Sequence, residues 1–489
     1  MAGMRRHPLL YEINARLFIR RVSEKYHRAL TLATIPDEEC QSLVQRGFDL
    51  VWLMGVWQRS PDARQQALAN PVLRQQYDRA LPGWTEADIA GSPYAILNYR
   101  LDPALGKPGE LAQLRSRLNH LGLGLVLDFV PNHLARDHPW TISHPNWFVP
   151  GNKADVLAHP DWFFTPDGST YLAHGRDPNF PPWTDTAQLN LYSPELRQAL
   201  ITELGKIAEV ADGVRCDMAM LALNDVFQGV WGAMVKDYPR PQTEFWAEAI
   251  GQVKQHHPDF LFLAEAYWGL ELGLQQMGFD FTYDKPFYDR LLSATASDIR
   301  SYLMSTIPYQ ERLARFIENH DESRAVSAFG HERSLAAAVI LATVPGLRLF
   351  HDGQLAGKRI HLPVQLIREP SDIADDEVIR FYDRLLRVVS QPAFHNGEWG
   401  LVEVDQNSLL AWSWRYGKQM KVAVVNYSPS PGEGFIKLLL PQEAKRELIV
   451  SDELAGVTHR QNVEELSRWG LYVNLASYHT QILAVDWQD

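Results

Sequence analysis

Four carboxylates stand where short apolar runs end. Asp128 lies in Leu-Asp-Phe-Val-Pro-Asn-His (127–133), Asp217 closes Gly-Val-Arg-Cys-Asp (213–217), Glu265 closes Phe-Leu-Ala-Glu (262–265) and Asp321 closes Ile-Glu-Asn-His-Asp (317–321). One carboxylate at such a place is explained as a cap on the following helix. Four, each following a buried strand, point to one cavity, because β/α barrels build their sites at the carboxyl ends of the strands. The chemistry that needs several carboxyl groups around one cavity is cleavage or transfer of a glycosidic bond. One carboxylate attacks the anomeric carbon, while a second, kept protonated by burial and neighbouring negative charge, donates to the leaving oxygen. The attacking group must stay ionised. Arg215 stands two residues before Asp217, and residues i and i+2 of a strand project to one face, so guanidinium and carboxylate point into the barrel together. Cys216, between them, points away and reads as a packed thiol.

The elements that must position these groups are short runs rich in Val, Leu, Ile and Phe: 10–13, 48–53, 123–129, 213–217, 260–265, 279–283, 316–320 and 347–350. Runs apolar on both faces predict buried parallel strands. Helical patterns separate them. Pro108 precedes a stripe of Leu111, Leu114, Leu118 and Leu121, and Ser193-Pro194 supplies a cap and first-turn pair ahead of Leu196, Leu200, Leu204 and Ile207. Eight such strands alternating with helices predict an α/β fold of the eight-stranded β/α (TIM-type) barrel. Residues 134–186 break the alternation with eight Pro and four Trp, a length typical of a functional wall rather than a connector. From about Pro392 short alternating runs with turn residues predict an antiparallel β domain. The expected organisation is a barrel over 1–133 and 187–391, an inserted domain at 134–186, and a β-sandwich at 392–489.

Composition narrows the field. The 489 residues are 46% apolar and 22% charged, which excludes a disordered tail or a coiled coil. The net charge of −12 argues against nucleic acid as a partner. Cys40 and Cys216 are the only cysteines, too few for a disulfide framework or a four-thiolate zinc site. Met1 to Arg20 carries no apolar h-region, and no run of ~18 apolar residues occurs, so a cytoplasmic protein without membrane association is expected. Fifteen Trp suit either flat sugar rings or a packed core.

Six segments, in order, resemble the alpha-amylase family, glycoside hydrolase family 13. They are Asp128, Asn132 and His133; Gly213, Arg215 and Asp217; Glu265; Asn319-His320-Asp321; Gln188-Leu189-Asn190 at the end of the insertion; and Tyr94 in Gly-Ser-Pro-Tyr with Asn98-Tyr99-Arg100 after it. The resemblance implies the barrel, a domain B inserted after the third strand, and the carboxyl-terminal β domain. It makes Asp217 the nucleophile, Glu265 the general acid/base and Asp321 the third carboxylate that grips ring hydroxyls. His133 and His320 would donate to the sugar beside the scissile bond, Tyr94 would stack on it, and Asp128 with Arg215 would hold the nucleophile. Trp183, in Asn-Phe-Pro-Pro-Trp (179–183), is the preferred further sugar contact; the other insertion aromatics, Trp140, Trp147, Trp162, Phe163 and Phe164, read mainly as its own core.

The resemblance has departures. Starch-degrading members often carry Lys-His three and four residues after the nucleophile; here Met220 and Leu221 stand there, which implies a more apolar aglycone side. A Tyr-Gly-x-Glu stretch is replaced by His351-Asp352-Gly353-Gln354. The expected activity is therefore retaining hydrolysis of α-glucosidic bonds in oligosaccharides or small α-glucosides. The alternatives are a transglycosidase or glucoside isomerase, and a non-catalytic carbohydrate-binding scaffold. No cofactor is required. The family resemblance admits calcium at Asn132, with Asp155, Asp161 and Asp177 as further oxygen donors, whereas His138, His144, His159 and His174 lack a zinc-ligand spacing. Partners are an α-glucan oligosaccharide or small α-glucoside; oligomeric state is not readable.

Overall fold

The computed structural model describes residues 4–440 and 446–487. The outermost residues of the spans 1–133 and 392–489, together with 441–445, lie outside the described residues.

Eight parallel strands close a barrel in sequence order: β1 (Leu9–Asn14), β2 (Leu50–Met54), β3 (Gly124–Phe129), β4 (Gly213–Cys216), β5 (Leu261–Ala264), β6 (Phe281–Tyr283), β7 (Leu313–Arg315) and β8 (Leu347–His351), with β8 returning to β1. Every residue of these strands is buried, as expected of a parallel sheet covered by helices outside and packed side chains within. Helix Glu110–His120 buries Leu111, Leu114 and Leu118. In helix Pro194–Val210 the Ser193 side chain accepts from the Leu196 amide and the stripe Leu196, Leu200, Leu204, Ile207 faces the barrel. The same 3.6-residue period that marks these helices in the sequence is the face they bury.

The seventh strand is displaced from its expected place. It runs over Leu313–Arg315, and the run 316–320 lies beyond its end. Arg315 is fully buried and its Nε donates to Asp284 Oδ2 at 2.9 Å, with Asp284 equally buried. A hydropathy reading stops at a charge; here an ion pair, with Tyr302 also donating to Asp284 at 2.5 Å, carries that charge into the core. The consequence is functional, since residues 316–320 become the loop that delivers His320 and Asp321.

The segment after β3 is bounded by a short ladder, His133–Ala135 against Thr186–Gln188, antiparallel with His133 opposite Gln188. Between them lie helix Lys153–Ala158 and the pair Phe163–Phe164 with Leu172–Ala173. The carboxyl-terminal region forms two antiparallel sheets. The larger has six strands, including Leu409–Tyr416, Gln419–Asn426 and Thr480–Trp487, and the smaller has three. A hairpin of Glu447–Asp452 and Val457–Asn462, absent from the sequence reading, completes the larger sheet; its outer strand is almost wholly solvated and so carries no apolar alternation. Along Leu409–Tyr416 the faces divide by pleat: Leu409 and Ala411 join the core between the sheets, whereas Trp412 and Trp414 turn to the barrel and both donate their indole N–H to the Thr343 carbonyl at 3.0 and 2.6 Å. Among the described residues no helix is long and apolar enough to cross a membrane.

Candidate active site

A cavity of about 810 Å³ opens at the carboxyl ends of the strands. Tyr94, His133, Trp183, Asp217, Glu265, His320 and Asp321 all line it. Arg215 and Asp128, expected to hold the nucleophile, lie beneath its wall and do not reach it as substrate contacts, because strand alternation inside a closed barrel turns both side chains to the packed interior. They are neighbours across the β3–β4 ladder.

Arg215 is the hub. Its Nη1 donates to Asp217 Oδ1 at 2.6 Å and lies 3.8 Å from Asp128 Oδ1, and its Nη2 is in ion-pair contact with Glu265 Oε2 at 2.8 Å. The guanidinium carbon sits 5.2, 5.3 and 5.6 Å from the ring centroids of Trp52, Tyr94 and Tyr283. Aromatic walls lower the local dielectric and strengthen every charge pair inside. Burial raises the pKa of both Asp217 and Glu265, with Arg215 opposing; Glu265 rises to about 7, helped by the negative charge of Asp217 and Asp321. Asp128 is pushed to about 7 by burial, against the pull of Arg215. Its Oδ2 accepts the Gly55 amide at 3.2 Å. Gly55 must be glycine, with φ at +76° and Pro93 and Arg59 where a Cβ would stand.

The two histidines are held in opposite states. His320 is buried between carboxylates: Nδ1 donates to Glu12 Oε1 at 2.6 Å, and Nε2 lies 3.1 Å from Asp321 Oδ2 and 2.8 Å from the Tyr94 hydroxyl. Although burial alone would lower it, the charges of Asp321 and Glu12 raise its pKa well above the ordinary value, so it is an imidazolium. His320 in turn, against the upward pull of burial, holds the Asp321 carboxyl down to about 2, and that side chain stays 46% exposed to the cavity. His133 has no charged partner, and burial lowers its pKa to about 3, leaving a neutral donor.

The insertion supplies one wall. Trp183 tilts against the His133 ring at 5.1 Å and its amide donates to the Gly175 carbonyl. The other aromatics pack among themselves, and each insertion histidine rests on one of them: His138 on Trp140, His144 on Trp147, His159 on Trp162 and His174 on Phe164, at 4.8, 4.1, 4.6 and 4.8 Å. Among the described residues no three His, Cys, Asp or Glu side chains converge as a metal site. Three of the four residues named for calcium have side-chain oxygens engaged by protein donors. Asn132 Oδ1 accepts from Gln188 Nε2 at 3.0 Å, Asp155 caps helix Lys153–Ala158, and Asp177 accepts the Asn179 and Phe180 amides.

Met220 and Leu221 do not form the aglycone wall. They are buried in a tight turn packed into the core. The apolar rim is made instead by Met218, Trp268 and Phe180, the last two 44% and 68% exposed. Met218 and Trp268 both have left-handed backbones, φ +42° and +65°, uncommon for non-glycine residues and concentrated at functional sites. Sequence reasoning also missed Glu12, Tyr267 and Lys285. Tyr267 had a signal, two residues after Glu265; Glu12 had none, since its partner lies in the seventh strand's loop.

Residues 43–376 match the profile of the alpha-amylase catalytic domain. Alpha-amylase MalA of Haloarcula japonica is 25% identical over 359 residues, 72% of this chain and 44% of that protein. An alpha-1,4-glucan:maltose-1-phosphate maltosyltransferase of Bifidobacterium longum is 25% identical over 237 residues, 48% and 26% of the two. The chain thus spans less than half the length of these two curated relatives. Among solved structures, a noncanonic maltogenic alpha-amylase, AmyB, of Thermotoga neapolitana superimposes with a TM-score of 0.71 at 19% identity, covering 99% of each chain.

Proposed function

The chain belongs to the alpha-amylase family, and from that premise we propose that it is a retaining enzyme cleaving α-glucosidic bonds of oligosaccharides or small α-glucosides. The observation that carries the reading is the one guanidinium, Arg215, gripping both Asp217 and Glu265 at the cavity floor. Carboxylates held by neighbouring nitrogens of one fork stand close, which favours the ~5–5.5 Å of double displacement over the wider gap that admits an attacking water.

Asp217, kept ionised by its charge-assisted bond to Arg215, attacks the anomeric carbon. Glu265, its carboxyl raised to about 7, protonates the leaving oxygen and then takes a proton from water. Asp321 and the imidazolium of His320 hold ring hydroxyls, His133 donates as a neutral imidazole, and Tyr94 and Trp183 offer ring faces. Asp128 and Arg215 act from below the wall. No metal is needed for any of these steps. Two free, buried thiols, Cys40 and Cys216, accord with a cytoplasmic setting.

A second reading, transfer to an acceptor sugar, is favoured by the apolar rim of Met218, Trp268 and Phe180, which offers an acceptor ring a surface from which water is easily displaced. Incubation with maltose, trehalose, sucrose and maltooligosaccharides, with NMR of the first-formed anomer, decides. Retained configuration with free glucose units supports hydrolysis, and longer or rearranged products support transfer. Inverted configuration, or no turnover of any α-glucoside, overturns the proposal.

A further inference from the structure

Every polar contact of the Glu265 carboxyl is with a donor group. The Met218 amide donates to Oε2 at 2.6 Å, Arg215 Nη2 lies 2.8 Å from the same oxygen, and the Tyr267 hydroxyl donates to Oε1 at 2.9 Å. That set describes a carboxylate. Yet the first step of double displacement begins with Glu265 protonated. A backbone amide and a guanidinium only donate, and the left-handed backbone of Met218 fixes its amide in place. The amide bond and the adjacent cation both disfavour a proton on Oε2, so Oε1 is the oxygen that carries it. Tyr267 is the one neighbour of the three that can turn round, because a phenol hydroxyl both donates and accepts.

Resting on the reading of Glu265 as general acid, we propose that Tyr267 is a positioning residue whose hydroxyl reverses with each proton transfer, accepting from Oε1–H in the resting acid and donating to Oε1 once the proton has left. In glycosylation Asp217 bonds the anomeric carbon as the glycosidic carbon–oxygen bond breaks, its electron pair goes to the leaving oxygen, and the Oε1 proton passes to that oxygen. The Tyr267 hydroxyl rotates to donate to the new carboxylate. In deglycosylation the water or acceptor oxygen bonds the anomeric carbon as the bond to Asp217 breaks and its electron pair returns to that carboxylate; Oε1 takes the proton of the attacking O–H, and the phenol turns back. Tyr267 is half-buried, lines the cavity and sits on the loop whose next residues, Trp268 and Gly269, are both left-handed, so its ring is held while its hydroxyl stays free to rotate. The charged and titratable groups that face the pair are Arg215, Asp217, Asp321 and Tyr283. Of these only Arg215 touches the Glu265 carboxyl, at Oε2, so none substitutes for Tyr267 at Oε1.

The test is the pH profile of kcat/KM on maltotriose. The wild-type protein shows a basic limb that Glu265→Gln abolishes; without such a limb both the acid assignment and this proposal fall. Tyr267→Phe removes both bonds, and because the charge-assisted one to the carboxylate is the stronger, the limb moves up by about one pH unit. It also slows maltotriose about ten-fold while changing 4-nitrophenyl α-glucoside, whose leaving group needs little protonation, less than about two-fold. A wild-type limb that Tyr267→Phe leaves in place, with both substrates slowed alike, overturns the role of Tyr267 alone. Should Tyr267→Phe not fold, 3,5-difluorotyrosine at 267, a stronger donor of nearly the same shape, moves the limb down, and an unmoved limb overturns the role.

Discussion

Glu12 Oε1 and His320 Nδ1 stand 2.6 Å apart although 308 residues separate them in the chain. The first strand of the barrel thereby sets the charge of a group delivered by the loop after the seventh. Glu12 itself does not line the cavity, and its direct contact with the site is through the imidazolium.

Glu12→Gln keeps the shape and removes the charge. His320 has a raised pKa, so its pairing stabilises the fold fully below its unfolded value, ~6.5, and that contribution is lost only as pH rises through the higher folded value. In Glu12→Gln the loss moves down toward neutrality. Urea midpoints measured from pH 6 to 9 should diverge from wild type as pH rises, and the kcat/KM of the variant should fall about ten-fold at pH 8, the cost of weakening one hydrogen bond to a charged group.

Activity should follow a bell-shaped curve. Glu265 must be protonated, so its carboxyl at about 7 sets a basic limb near neutrality. Asp217 must be ionised, and burial lifts it above the usual carboxylate range, which puts the acid limb higher than a surface aspartate would. Glu265→Gln should lose roughly 10²–10⁴-fold in kcat on maltooligosaccharides. Azide should partly restore turnover of activated glycosides in that variant.

Trp183 and Trp147 lie in the same insertion and should respond differently. Trp183→Ala, at the cavity wall, should raise KM several-fold, consistent with an aromatic contact of ~0.5–1.5 kcal/mol, with little change in melting temperature. Trp147, clasped by Trp140 and His144, lies off the cavity, and Trp147→Ala should cost on the order of 2 kcal/mol of stability, below the range for fully buried Trp. Steady-state kinetics beside urea melts separate the two outcomes.

Dialysis against EDTA should leave both melting temperature and kcat unchanged. The Asn132 carboxamide oxygen is already taken by Gln188, and Asp155 and Asp177 serve as backbone caps. A melting temperature that falls on chelation and returns with calcium would contradict this.

The barrel was legible because buried parallel strands leave unbroken apolar runs, and the site because Asp217 and Glu265 directly follow such runs. What the sequence concealed has a physical cause in each case. The apolar run 316–320 begins just after Arg315, yet the strand is Leu313–Arg315 and carries that charge inward, because its partner Asp284 lies 31 positions away. The strand Val457–Asn462 is nearly all exposed, so no alternation announced it. Met220 and Leu221 were assigned to the aglycone side by their distance from Asp217, but a tight turn intervenes and buries them, leaving Met218 at the rim. Glu12 was invisible because nothing near it in the chain explains a carboxylate in an apolar strand.

The Thr343 carbonyl, which receives the indole N–H of both Trp412 and Trp414, ends helix His331–Thr343 just ahead of β8. Removing the carboxyl-terminal sheets would bare that helix terminus and the apolar surface the two indoles cover, so residues 1–391 alone should be prone to aggregate. The two sheets and the barrel should therefore melt together, and heat should unfold the chain in one calorimetric transition.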